Sequence, residues 1–256
     1  MAKLVAIVNQ KGGVAKTTTA VNLAAYLARL GKKTLLIDID PQGNATSGLG
    51  INRREVKHCI YDVFINGVPA EAVTIPSGYA NLFVMPATIQ LAGAEIELVS
   101  AISRETKLRR ALKPLRDEYD FVLMDCPPSL GLLTLNALTA ADSLLIPIQS
   151  EYYALEGLGQ LIQTYDLVRK HLNPDLEIEG VLLTMFDART NLSQQVTEEV
   201  QAYFGDKVYE TVIPRNIRLS EAPSHGQPIC EYDPKSKGAE VYEQLAMEFA
   251  LRAEKR

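Results

Sequence analysis

The 256-residue sequence predicts a single-domain α/β fold, with a mostly parallel, twisted sheet flanked by helices on both faces. Three observations carry that expectation. Short apolar runs recur along the chain and alternate with longer segments of helical spacing, the pattern of parallel strands joined by crossover helices. Hydrophobic residues make up 47% of the sequence, enough to cover both faces of a sheet. No internal repeat and no Pro/Gly/Ser-rich linker divides the chain, so one domain accommodates all of it.

The elements follow in order. Leu4 to Val8 reads as a buried strand, and Thr17 to Leu30 as a helix stopped by Gly31. Thr34 to Ile37 is a second strand, running into Asp38-Ile39-Asp40-Pro41. Residues 41–50, rich in Gly, Asn and Ser, read as a loop. Residues 51–80 show no clear period. Leu82 to Met85 reads as a strand and Ile89 to Leu98 as a helix. Residues 104–116 form a basic helical segment. Phe121 to Met124 is a strong strand that enters Asp125-Cys126-Pro127-Pro128. Leu144 to Ile148 is another, followed by a helix over 154–171. Val181 to Met185 is a fifth apolar strand, and 192–204 a helix. A short run at Val212-Ile213 stops at Pro214, and a terminal helix covers 239–253.

The formal net charge of -5 argues against a uniformly basic nucleic-acid binder and leaves room for a local basic patch. The three cysteines, Cys59, Cys126 and Cys230, have no zinc-ligand spacing and read as reduced thiols. No signal peptide or membrane-length apolar stretch is present, so the expected location is cytoplasmic. His58, His171 and His225 are too scattered in sequence to form a recognisable catalytic or metal set.

The run Val8-Asn9-Gln10-Lys11-Gly12-Gly13-Val14-Ala15-Lys16-Thr17-Thr18 sits between the first strand and the first helix. A strand–loop–helix turn aims backbone N–H groups and a helix N-terminus at one point, which attracts phosphate. Lys16 would reach the β- and γ-phosphates, Thr17 would ligate Mg²⁺ directly, and Thr18 would sit near the α-phosphate. The usual pattern has glycines where this chain has Gln10 and Ala15. Asp38, Asp40 and Asp125 fall at the C-terminal ends of strands, the edge at which open α/β sheets bind ligands. Singly each reads as a cap or turn residue; with Lys16 and Thr17 they suit a Mg²⁺–nucleotide site.

Lys11-Gly12-Gly13-Val14-Ala15-Lys16-Thr17-Thr18 resembles the deviant Walker A motif of ParA/MinD-type ATPases, a branch of the P-loop NTPases. Asp38 to Asn44 resembles their second nucleotide motif, and Asp125-Cys126-Pro127-Pro128-Ser129 their Walker B and second switch. Residues 86–95, 151–157 and 213–224 are similar to the Soj branch of chromosomal ParA proteins. The resemblance implies ATP and Mg²⁺ as ligands. It implies that Lys11 crosses to a partner's phosphates when two ATP-bound subunits form a sandwich, that Asp40 orients the attacking water, and that Asp38 and Asp125 support Mg²⁺ through water. Lys11, Gly12, Gly13, Val14, Ala15, Lys16, Thr17 and Thr18 would hold the nucleotide, with Pro214, Arg215 and Asn216 along the base. Arg189 and Arg218 match the positions that bind DNA without sequence preference. The further implications are a DNA-bound activator of ParB type, a nucleoid-associated protein, and no N-terminal helix-turn-helix domain, because the loop is reached by residue 10.

Ala15 departs from this family's glycine. A methyl group there would either keep nucleotide but distort the γ-phosphate region, weakening dimerisation and hydrolysis, or block tight nucleotide binding; it reads as a local lesion in an otherwise intact switch. Three other readings stay open on the residues. A membrane-cycling MinD-like switch would need a free C-terminal amphipathic helix, yet the stripe Val241, Tyr242, Leu245, Phe249 reads as core-packing, and Arg252 to Arg256 adds no apolar anchor. An iron–sulfur reductase would need a second cysteine beside Cys126 in a matching motif. A catalytically inactive nucleotide- or DNA-binding module would follow if Ala15 abolishes turnover. The basic cluster Arg104, Lys107, Arg109, Arg110, Lys113 and Arg116 reads as a solvated helix face.

Overall fold

The computed structural model describes residues 1–151 and 156–254. Tyr152 to Leu155, within the expected start of the 154–171 helix and the 151–157 motif, and Lys255 and Arg256 lie outside the described residues. In chain order the elements are β1 (Lys3–Ile7), α1 (Lys16–Arg29), β2 (Thr34–Asp38), α2 (Asn44–Gly48), α3 (Ala70–Val73), β3 (Ile75–Pro76), β4 (Leu82–Met85), α4 (Leu91–Glu97) and α5 (Lys107–Leu112). They continue with β5 (Phe121–Asp125), α6 (Leu132–Ala140), β6 (Ser143–Gln149), α7 (Glu156–His171), β7 (Glu177–Thr184), α8 (Asn191–Phe204), α9 (Ile217–Glu221), α10 (Ile229–Tyr232) and α11 (Lys237–Glu254).

The strands form one sheet in the order β3-β4-β2-β5-β1-β6-β7, parallel except for the two-residue edge strand β3. Side chains alternate across it with period two. From β1, Leu4 and Ala6 enter one core layer, while Val5 and Ile7 enter the other. From β5, Val122 and Met124 join the first layer, while Phe121 and Leu123 join the second. The first layer is closed by residues of α4 to α8, such as Leu91, Leu108, Leu133, Leu161 and Val196. The second is closed by α1 and α11, through Leu23, Leu27, Tyr242, Leu245 and Phe249. The C-terminal stripe is therefore a packing face: Tyr242, Leu245 and Phe249 are fully buried. Among the described residues no helix is long and apolar enough to cross a membrane.

Several local expectations are corrected. Residues 41–50 are not all loop, because Asn44–Gly48 forms one helical turn. α6 was not anticipated: Leu132–Ala140 has no polar stripe to set a period, and its side chains are buried on most sides. Residues 104–116 divide into 3₁₀ turns around the short α5. Val212-Ile213 forms no strand; the neighbouring Pro214 makes only an isolated bridge to Phe186. The basic cluster is only partly a solvated face. Lys107 donates to the Phe64 carbonyl (2.7 Å), Arg109 to the Leu172 carbonyl (3.1 Å), and Arg116 to Asp142 (2.7 Å), so these side chains tie segments together.

This topology makes the site. α1 leaves β1 on one face of the sheet, while α7 follows β6 on the other face. Connections that diverge from adjacent strands open a crevice at their C-terminal ends.

Candidate functional site: a phosphate loop over two buried carboxylates

The loop between β1 and α1 is shaped by two residues in the left-handed region, Gly13 (φ 75°) and Ala15 (φ 64°). Glycine enters that region freely; alanine there costs about 1–2 kcal/mol through its Cβ. Ala15 is also the N-cap of α1, and the cap carries no side-chain hydrogen bond. No acidic residue occupies the first turn. The N-terminal N–H groups of a 14-residue helix thus stay available, the arrangement that favours an anion. The loop is pinned from outside: Asn9 Nδ2 donates to the Pro147 carbonyl (2.7 Å) and Thr184 Oγ1 to the Val14 carbonyl (3.2 Å).

The two lysines point differently. Lys16 is buried and donates from Nζ to the Lys11 carbonyl at 3.0 Å. Burial lowers its pKa, and Asp125, Cys126 and Asp40 oppose that shift. Lys11 stays at the rim, its side chain 31% exposed, with Nζ 3.7 Å from Glu151.

Beneath the loop, strand register brings the carboxylates together. β2 and β5 are neighbours, and Asp38 pairs directly with Asp125 in their ladder. Asp125 in turn pairs with Ile7 at the end of β1. Asp38 is fully buried; its Oδ2 accepts from Thr46 N–H (2.8 Å) and Thr46 Oγ1 (2.7 Å), and its Oδ1 from Asp40 N–H (3.2 Å). Burial pushes its carboxyl up to about 6 in spite of those bonds. Asp125 is fully buried, and neither of its oxygens has a hydrogen bond of ordinary geometry. Burial and the nearby Asp38 drive its pKa well up, while the adjacent Thr17 hydroxyl pulls it part of the way back. A buried, unpartnered carboxylate beside a hydroxyl suits the outer shell of a hydrated cation. Among the described residues no cluster of three or more His, Cys, Asp or Glu could hold a metal alone. Asp40, also buried, accepts from Gln42 N–H through Oδ1 (2.9 Å).

These pKa directions give a stability prediction for the nucleotide-free chain. A raised carboxyl pKa means that the folded chain keeps a proton which the unfolded chain has released. Stability then falls as pH rises, and the part due to Asp38 falls between its ordinary 3.8 and about 6. Asp38→Asn removes that part of the slope. Urea unfolding at pH 4, 5, 6 and 7 checks this, and identical slopes for both proteins would contradict it.

Beside the loop lies a cavity of about 430 Å³ lined by Ala15, Thr18, Met185, Pro214, Arg215 and Asn216 among others. The three predicted base-side residues therefore face the same space as the loop. A larger cavity of about 560 Å³ opens at the opposite end of β1, around Lys3, Arg116 and Asp142, at the strand ends away from the carboxylates. Its Arg116 and Asp142 pair at 2.7 Å. Arg189 and Arg218 lie apart from the loop's own residues, in the segment before α8 and in α9. Asp187 grips Arg189 (2.7 Å), and Glu221 (2.9 Å) and Asp233 (3.3 Å) flank Arg218. Sequence reasoning missed Thr46, Met185 and Glu151. Thr46 lies in the turn read as loop; the other two are joined to the site only by tertiary contacts.

Comparison with known proteins agrees with this geometry. A family model described as an AAA domain matches residues 2–178. The sporulation initiation inhibitor protein Soj of Bacillus subtilis is 65% identical over 250 residues, 98% of this chain and 99% of that protein. The chromosome partitioning protein ParA of Myxococcus xanthus is 58% identical, covering 98% and 88% of the two chains. Among solved structures, cobyrinic acid a,c-diamide synthase from Mycobacterium smegmatis with bound ADP and magnesium superposes with a TM-score of 0.87 at 38% identity, over 100% of this chain and 96% of that one. The cell division ATPase MinD of Pyrococcus furiosus gives 0.80 at 27% identity, over 98% and 99%. A mostly parallel sheet, an uncapped helix start and paired carboxylates thus meet 65% sequence identity over nearly the whole chain, and the chain belongs to the ParA/MinD superfamily, in the Soj branch of chromosome-partitioning ATPases.

Proposed function

We propose that residues 1–256 act as one ATPase domain that binds ATP with Mg²⁺, pairs as an ATP-sandwiched homodimer, and carries chromosomal origins over nucleoid DNA. Lys16 and the N–H groups of Gly12 to Thr18 hold the phosphates. Thr17 would ligate the metal directly and Asp38 and Asp125 would hold its waters; when bound, Mg²⁺ would supply charge neutralisation for the transferring phosphoryl group. Asp40 orients the attacking water. Lys11 reaches the second subunit's phosphates, so dimerisation completes each site. Pro214, Arg215 and Asn216 border the base. The observation that carries this reading is the division of labour between two lysines on one loop: Lys16 buried over the carboxylates, Lys11 at the rim.

The dimer binds DNA without sequence preference through Arg189 and Arg218, and a DNA-bound partner of ParB type stimulates hydrolysis. The chain would then work in the cytoplasm on the nucleoid. Both arginines already have carboxylate neighbours, so phosphate must compete with Asp187, Glu221 and Asp233. Arg218→Ala or Arg189→Ala therefore weakens binding to all sequences alike and lowers the slope of log affinity against log salt by about 1 per lost phosphate contact. Fluorescence anisotropy with two unrelated duplexes over a salt series measures it. Unchanged affinity and slope in both variants would remove these arginines from the DNA face.

A further inference from the structure

The turn that carries Asp40 into α2 is held from outside by an arginine in the stretch that shows no sequence period. Gln42 N–H donates to Asp40 Oδ1 (2.9 Å), and Gly43 N–H to the Asp40 carbonyl (2.8 Å). The same turn leads to Thr46, whose N–H and hydroxyl fix Asp38. The Gln42 carbonyl in turn accepts from Arg53 Nη1. Gly43 lies beneath that side chain at φ 62°, and a Cβ on it would stand 2.6 Å from Arg53 Cδ and 3.0 Å from the Ala87 carbonyl oxygen. Glycine is thus required twice at this position, by the left-handed backbone and by the arm above it. Arg53 is presented by a turn of its own. Asn52 Oδ1 accepts from Arg54 N–H (3.1 Å), the Asn52 carbonyl from Glu55 N–H (2.9 Å), and Asn52 Nδ2 donates to Glu55 Oε1 (2.6 Å).

We propose that Arg53 is a positioning residue for Asp40, acting through the backbone of Gln42. The inference rests on the reading of Asp40 as the residue that orients the attacking water. Gln42 is pinned at both of its backbone polar groups: its N–H by the Asp40 carboxylate, its carbonyl by the Arg53 guanidinium. A charged donor binds a carbonyl more strongly than a neutral one does. Holding that carbonyl limits rotation of the turn, and so fixes the direction from which Gln42 N–H meets Asp40 Oδ1. Loss of Asp40 removes the group that meets the water; loss of Arg53 only lets that group wander. Arg53 and Gln42 are both exposed, so water can replace the guanidinium in part. The effect on rate is therefore several-fold, well below the roughly 10²–10⁴ expected of Asp40 itself.

Two measurements test it. In an Ala15→Gly background, Arg53→Ala lowers kcat for ATP about fivefold and leaves KM within about twofold, the mark of an interaction felt in the transition state rather than in binding. Arg53→Lys, which keeps a charged donor, recovers more than half of the lost rate. An unchanged kcat in Arg53→Ala overturns the proposal, whatever happens to KM, and so does a lysine variant no faster than the alanine one. The second measurement does not involve turnover. Amide hydrogen exchange of the nucleotide-free chain, read residue by residue by NMR, speeds up about fivefold at Gln42 and Gly43 in Arg53→Ala, while Leu36 and Leu123 in the sheet keep the parent rates. Parent rates at Gln42 and Gly43 overturn it. Asp40→Ala separates this from the reading beneath it: if that variant hydrolyses ATP at the background rate, Asp40 does not orient the water, whereas the exchange result still decides whether Arg53 holds the turn.

Discussion

Ala15→Gly raises both the stability and the ATP turnover of this chain. Ala15 sits at φ 64° and ψ 30° as the cap of α1, in a region its Cβ disfavours by about 1–2 kcal/mol. Glycine relieves that strain but gives back about 0.4–1 kcal/mol through the freer unfolded chain. A net gain near 1 kcal/mol corresponds to roughly 2 °C in midpoint for a chain of this length. The effect on activity is larger, because the same methyl group stands at the mouth of the phosphate site and lines the base-side cavity. Catalysis depends steeply on position, and a displacement of about 1 Å can cost on the order of 10² in rate. Turnover of Ala15→Gly is therefore expected at ten times the parent value or more, with tighter ATP binding. Phosphate release and nucleotide titration, run side by side, measure both. Equal values in the two proteins would show that Ala15 leaves the switch intact.

Asp40→Ala, in the Ala15→Gly background, uncouples binding from turnover. Asp40 is buried two residues beyond Asp38, and its Oδ1 is fixed by Gln42 N–H, which holds the side chain still. A fixed carboxylate at that place can orient water and take its proton, a contribution of about 10²–10⁴ in rate. Its loss removes hydrolysis by that order but leaves Lys16, Thr17, Asp38 and Asp125 in place. ATP should then hold the protein as a long-lived dimer rather than a cycling one. Single-turnover hydrolysis together with light scattering separates the two effects. A variant that hydrolyses ATP at the parent rate would assign the water to another residue.

How far the sequence alone leads depends on the kind of information each residue carries. The loop was legible because a strand, a Gly-rich turn and a helix follow one another locally. Asp38 and Asp125 were legible as strand ends, but their adjacency was not, since it depends on β5 inserting between β1 and β2. α6 was hidden by its uniformly apolar surroundings, and α2 by a composition of Asn, Ser and Gly that also builds turns. Ala15 was recognised as a departure from a pattern on grounds of space; its left-handed backbone adds a second cost that only coordinates reveal. Glu151 could not be read in advance. It lies 64 positions from Arg215 and further still from Lys11, and no periodicity records such contacts.

The central claim is that Lys11 turns nucleotide binding into subunit pairing. Sedimentation velocity of Ala15→Gly with and without Lys11→Ala, each with ATP and Mg²⁺ in the absence of DNA, tests it most directly. The account predicts that ATP converts Ala15→Gly to a dimer, while the protein also carrying Lys11→Ala binds ATP and remains a monomer. A Lys11→Ala protein that dimerises at the same ATP concentration would contradict it.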